Sequence, residues 1–150
     1  MDTQEKLNAL LEKTYDAQRG YANAAEMAKD PNVKNWLAHQ GARRTEYAAA
    51  ITGEMKGMNK EPELDGSMTG DLHRSWTNIK AALSSEKDEI VLEECIRGEK
   101  AAVEEYEDVL NDASHLPPTV VSILQAQKDE ISATINSIKR IEDIVENSND

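Results

Sequence analysis

The chain has 150 residues, 39% of them hydrophobic, and a net charge of −12, which fits one soluble domain and excludes a non-specific nucleic-acid binder, since no basic face exists to neutralise phosphates. The same charge argues against an anionic membrane surface, and no apolar run approaches the ~20 residues of a membrane span. Leu, Ile and Val number 11, 10 and 7 and Phe is absent, so the 18 alanines must supply much of the packing surface. Charges run through the first turns of the chain, so no signal peptide is expected; the single cysteine, Cys95, excludes an internal disulfide and suits a reducing cytoplasm.

Taken in chain order, the punctuation marks four long helices. Asp2-Thr3 with Glu5 forms a capping-box signal and starts a helix over 3–30. Asp30 then caps a second helix over 31–58, with Pro31 at its first position. Residues 59–84 break the pattern: Asn59 to Asp71, with Pro62, Gly66, Ser67 and Gly70, reads as an irregular strap. Leu72 to Leu83 reads as a short helix with Leu72, Trp76, Ile79 and Leu83 on one side. Ser84, Ser85 and Asp88 start a third long helix over 85–114, and Pro117-Pro118 a fourth over 117–146. At 1.5 Å per residue each long helix spans roughly 42–45 Å. Tight corners at Asp30-Pro31 and Ser114-Pro118 imply two antiparallel hairpins, and the strap is long enough to run the length of a bundle. The expected fold is an all-α four-helix bundle whose hairpins are joined by a long crossover carrying a short extra helix.

The chemistry of such a bundle is decided at its waist. A two-metal site there needs inward carboxylates from two helices and an inward Glu-x-x-His from each of the other two. At about 100° per residue, the first helix aligns Leu7, Leu10, Leu11, Tyr21, Ala25 and Ala28, with Thr14 and Gln18 as polar members and Asp16 opposite. The second aligns Val33, Trp36, Leu37, Tyr47, Ile51, Met55 and Met58 with Gln40 and Arg44 among them. The third gathers Val91, Leu92, Cys95, Ala102, Tyr106 and Val109 around Glu99. The fourth gathers Val120, Leu124, Ile131, Ile135 and Ile138, with Gln127 and Thr134. One inward carboxylate, Glu99, therefore faces one inward cation, Arg44, in a layer completed by neutral groups including the phenols of Tyr21, Tyr47 and Tyr106. No Glu-x-x-His occurs, and Asp112-x-x-His115 sits at a helix end. A fixed guanidinium beside two divalent ions is unfavourable, so the reading is a polar core with no metal centre; Glu99, Glu94 and His73 are the weak metal candidates.

Remaining residues read as structural. His73 and Trp76 are expected to anchor the crossover, His39 to face solvent and His115 to help end the third helix, where a cation suits the dipole. Cys95 lies inward with no neighbouring base, as an inert core thiol. Gly66-Ser67-Met68-Thr69-Gly70 lacks the lysine and the preceding strand of a phosphate loop. Glu104, Glu105, Glu107 and Asp108 read as a solvated acidic face.

Several pieces together carry a resemblance. Asp16-x-x-x-Gly20-Tyr21, Arg44-x-x-Tyr47, Gly66-Ser67, Gly70-x-Leu72-His73-Arg74-x-Trp76 and Glu94-Cys95-x-Arg97-Gly98-Glu99 occur in this order over nearly the whole chain. The pattern resembles bacterial ferritin-like four-helix-bundle proteins of unknown function. The resemblance implies the ferritin-like crossover and no established activity. It also implies a histidine on the fourth helix where this chain has Ile135, a departure that weakens a metal reading. Asp16 and Gly20 face away from the inward stripe and are expected to contact the crossover helix.

The leading expectation is a non-catalytic structural or interaction module of the cytoplasm without a cofactor, with a role in stress physiology and a homodimer as its further expectations. The alternative is a metal-binding protein of the oxidoreductase type, using iron or manganese on Glu99 with help from Glu94 or His73. A third class binds small apolar ligands inside the bundle.

Overall fold

A computed structural model describes residues 2–62 and 88–148. These form four α-helices, α1 (Thr3–Met27), α2 (Pro31–Gly57), α3 (Asp88–Leu110) and α4 (Pro118–Ser148), with a 3-10 turn at Ala113–His115. No strand occurs among the described residues. Among them, too, no helix is long and apolar enough to cross a membrane. Most of the crossover, with its expected short helix and the anchors His73 and Trp76, lies outside the described residues, as do the signals at Ser84 and Ser85.

Local chemistry explains the helix ends. The capping box at α1 is complete: the Asp2 carboxylate accepts from the Glu5 amide at 2.8 Å, and the Asp2 amide donates back to the Glu5 carboxylate. The helix stops at Met27, earlier than the expected 30, because the chain must be extended before Pro31. Ala28 takes φ −62°, ψ 145° and Asp30 φ −72°, ψ 124°, which frees the Asp30 carboxylate to accept from Asn32 and Val33 at the start of α2. At the far end of α2 the Lys60 amide donates to Met55 O, while Asn59 takes the left-handed conformation with φ 59°. Asparagine tolerates that geometry better than other residues with a side chain.

The third helix ends at Leu110 instead of 114. Leu116 precedes Pro117 and is extended (φ −109°, ψ 142°), so the chain tightens through the 3-10 turn before α4. The Pro117 carbonyl accepts from Val120 and Val121, making Pro118 the first helical residue of α4.

Ion pairs fix the directions of the helices. Lys13–Glu105 ties the first half of α1 to the last part of α3 and Lys6–Asp112 to the residues just after it, and the Asp88 carboxylate accepts from Lys29 and Asp30 at the opposite end. α1 and α3 are therefore antiparallel. Arg43 meets Glu130, while Val33 shares a cluster with Ile138 and Met55 one with Val120, so α2 and α4 are antiparallel too. It follows that α2 and α3 run in the same direction, with α2 ending at the opposite end of the bundle from the start of α3.

The core divides in two. One cluster packs Leu7, Leu10, Leu11, Ile51, Met55, Val109 and Leu124; the other packs Tyr21, Ala24, Leu37, Leu92, Cys95 and Ile138. α1 and α2 approach closely at Gly41, where an added Cβ would sit 3.5 Å from the Tyr21 Cβ and 3.6 Å from the Gln18 carbonyl oxygen. α1 also buries a second, polar stripe: Asn8, Glu12, Asp16 and Gly20, at four-residue spacing. Asp16 and Gly20 are thus buried, and Asp16 accepts from Arg19 at 2.6 Å. Whether they touch the crossover helix lies outside the described residues.

Candidate functional site

The site follows from where polar residues interrupt the apolar stripes. On α1 Thr14 falls between Leu11 and Ala17; on α2 Arg44 falls between Leu37 and Tyr47. On α3 Glu99 lies between Cys95 and Ala102, and on α4 Gln127 and Thr134 flank Ile131. All these polar residues are buried, and they form the layer between the two clusters.

At its centre the Arg44 Nη2 donates to Glu99 Oε2, with side chains 2% and 0% exposed. Two aromatic faces enclose the guanidinium, whose carbon lies 4.9 Å from the Tyr47 ring centroid and 5.7 Å from that of Tyr21. Trp36 packs edge-on to Tyr21 at 6.5 Å between centroids, bracing the ring from outside. Burial opposes the charge on Arg44, but Glu99 together with Tyr21, Tyr47 and Tyr106 outweighs it and the guanidinium pKa is raised. Burial also pushes Glu99 up from the ordinary carboxylate range, against the pull of Arg44 and a hydrogen bond from Tyr21. A guanidinium cannot shed its proton in a protein, so the positive charge of the pair is permanent.

The surrounding groups are tied to one another. The Tyr106 hydroxyl donates to Gln127 Oε1, and Gln127 Nε2 donates to the Tyr47 carbonyl at 3.5 Å. Thr14 and Thr134 each donate to the carbonyl four residues back, Leu10 at 2.8 Å and Glu130 at 2.9 Å, so their hydroxyl protons are used within their own helices. Burial raises the pKa of Tyr21, Tyr47, Tyr106 and Cys95. The Tyr47 hydroxyl faces Glu130, whose carboxylate accepts from Arg43 Nε at 2.8 Å and Arg43 Nη2 at 2.6 Å.

Not every residue assigned to the layer by periodicity lies in it. Gln18 is half-buried and donates to Thr45 at 2.8 Å, in an open groove of about 610 Å³ between α1 and α2. Gln40 is half-exposed at the layer's edge. Each sits on the boundary of its stripe, where one residue of rotation turns a side chain from the axis to a helix flank. Conversely, the structure buries Asn8, Glu12 and Asp16 on a second face of α1, and Asp88 bridges to the Lys29 and Asp30 amides. The four-residue spacing of the first three with Gly20 was the available signal.

Among the described residues the candidate metal ligands are engaged elsewhere. Glu99 is committed to Arg44, and Glu94 accepts from Arg97 Nε at 3.0 Å on the same helix. His39 and His115 are exposed, and His73 lies outside the described residues. Among the described residues no three His, Cys, Asp or Glu side chains gather. Each candidate carboxylate already has a guanidinium where a cation would sit.

The family described as Domain of unknown function (DUF2383) matches residues 2–112, most of the chain. The chain belongs to the DUF2383 family. The match takes in Arg44, Glu99 and Tyr106, while α4 lies beyond it. No curated protein and no solved structure matches the chain.

Proposed function

We propose that this DUF2383 chain is a non-catalytic structural or interaction module of ferritin-like topology, in which a buried Arg–Glu pair occupies the place of a di-metal centre. The observation that supports this reading is the Arg44 guanidinium held between Tyr21, Tyr47 and Glu99 at the middle of the bundle. The parallel course of α2 and α3 favours the ferritin-like order, because such neighbours need a connection that returns along the bundle. A raised-pKa acid beside a fixed cation can hold helices in register, and among the described residues no nucleophile lies beside a base there.

The test is metal analysis of protein purified without chelator, followed by titration with iron(II) and manganese(II). Substoichiometric metal and no saturable uptake are expected. Stoichiometric iron or manganese that is lost in Glu99→Gln would overturn the reading in favour of a metal-binding protein.

A further inference from the structure

Beside the ion pair lies a cavity of about 10 Å³. Its polar lining comes from Lys13, Thr14, Arg44, Glu105 and Tyr106, with aliphatic carbons completing the wall. Arg44 is 2% exposed, and its Nε and Nη1 have no hydrogen-bond partner among the described residues. Buried donors are almost always satisfied, so these two call for an acceptor inside the protein. The size admits one water-sized molecule, which needs roughly 10–15 Å³.

Charge decides what kind of molecule. Both cations at the cavity are already answered, Arg44 by Glu99 and Lys13 by Glu105, so no net positive charge remains to hold an anion. The acceptors are neutral hydroxyls. Tyr106 gives its proton to Gln127 and Thr14 gives its own to Leu10, which leaves lone pairs on both oxygens. A ligand that accepts from a guanidinium and donates to two hydroxyl oxygens must be a small neutral molecule with both capacities.

We propose that this cavity binds a single long-lived water molecule, which accepts from Arg44 and donates to Thr14 and Tyr106. The half-buried Lys13–Glu105 pair lies across its approach between α1 and α3 and slows exchange with solvent.

The test uses the full chain crystallised in sodium bromide, together with water–protein rotating-frame Overhauser measurements in solution. Expected are one solvent peak within hydrogen-bond reach of Arg44 and of Thr14 or Tyr106, without bromine anomalous signal, and a cross-peak from water to the Arg44 Nε proton. Thr14→Ser should keep both signals, and the Thr14→Val/Tyr106→Phe variant should lose them. A bromine signal at that position would show a halide site and overturn the proposal. An empty cavity in the wild-type crystal, or an undiminished cross-peak in the folded double variant, would overturn it as well.

Discussion

Arg44 and Glu99 meet with almost no exposed surface, and the only acceptor that either supplies to the other is one carboxylate oxygen. Two guanidinium nitrogens, Arg44 Nε and Nη1, lack partners among the described residues. An ion pair so placed is costly to break and of little net benefit to keep, since desolvation offsets attraction. Arg44→Leu should therefore destabilise the fold by about 3–5 kcal/mol in urea denaturation, by stranding Glu99. Replacing both residues with apolar ones should restore most of the loss. Equal losses for the single and double variants would contradict this account.

The Tyr106–Gln127 hydrogen bond joins α3 to α4 inside the layer. Tyr106→Phe keeps the ring packing but leaves the Gln127 carbonyl oxygen without its donor. A loss of about 1–3 kcal/mol is expected, the penalty for an unsatisfied buried acceptor. Combining it with Gln127→Leu should cost less than the sum of the two single changes, which a double-mutant cycle measures directly.

Acid titration should register the Arg43–Glu130 bridge. Hydrogen bonds from Arg43 hold Glu130 below the ordinary carboxylate pKa of 4.5. A depressed carboxylate contributes stability that is present above its unfolded pKa and lost as pH falls through the folded one. Unfolding free energies measured from pH 6 down to about pH 3 should thus decline less steeply in Glu130→Gln than in the wild type. Parallel pH profiles would show that the bridge adds nothing.

Asp30 caps α2 through the Asn32 and Val33 amides, at 2.8 and 3.3 Å. Asp30→Ala should cost about 1 kcal/mol, and Asp30→Asn only a few tenths, because either side-chain oxygen can accept. Thermal unfolding of the two variants side by side separates loss of the cap from loss of charge.

Much of the architecture could be read from the residues because its determinants are local. Pro31 and the Pro117-Pro118 pair mark helix starts through their fixed φ, and Arg44 and Glu99 stand out as the charged members of otherwise apolar stripes. Gln18 and Gln40 were ambiguous for a geometric reason: they lie at stripe edges, where periodicity cannot separate axis from flank. The burial of Asn8, Glu12, Asp16 and Gly20 was hidden for another, since a single apolar moment describes one face and α1 buries two. The bridging role of Asp88 leaves no local signal, because its partners, the Lys29 and Asp30 amides, are nearly 60 residues away in sequence.

That last contact has a consequence for how the molecule assembles. The corner of the first hairpin receives two of its amide acceptors from the second, so it cannot be fully closed by its own residues. Isotope exchange at the Lys29 and Asp30 amides should accordingly report when the hairpins dock rather than when either one forms. Asp88→Ala should open those two amides to deuterium while leaving mid-helix amides of α1 protected.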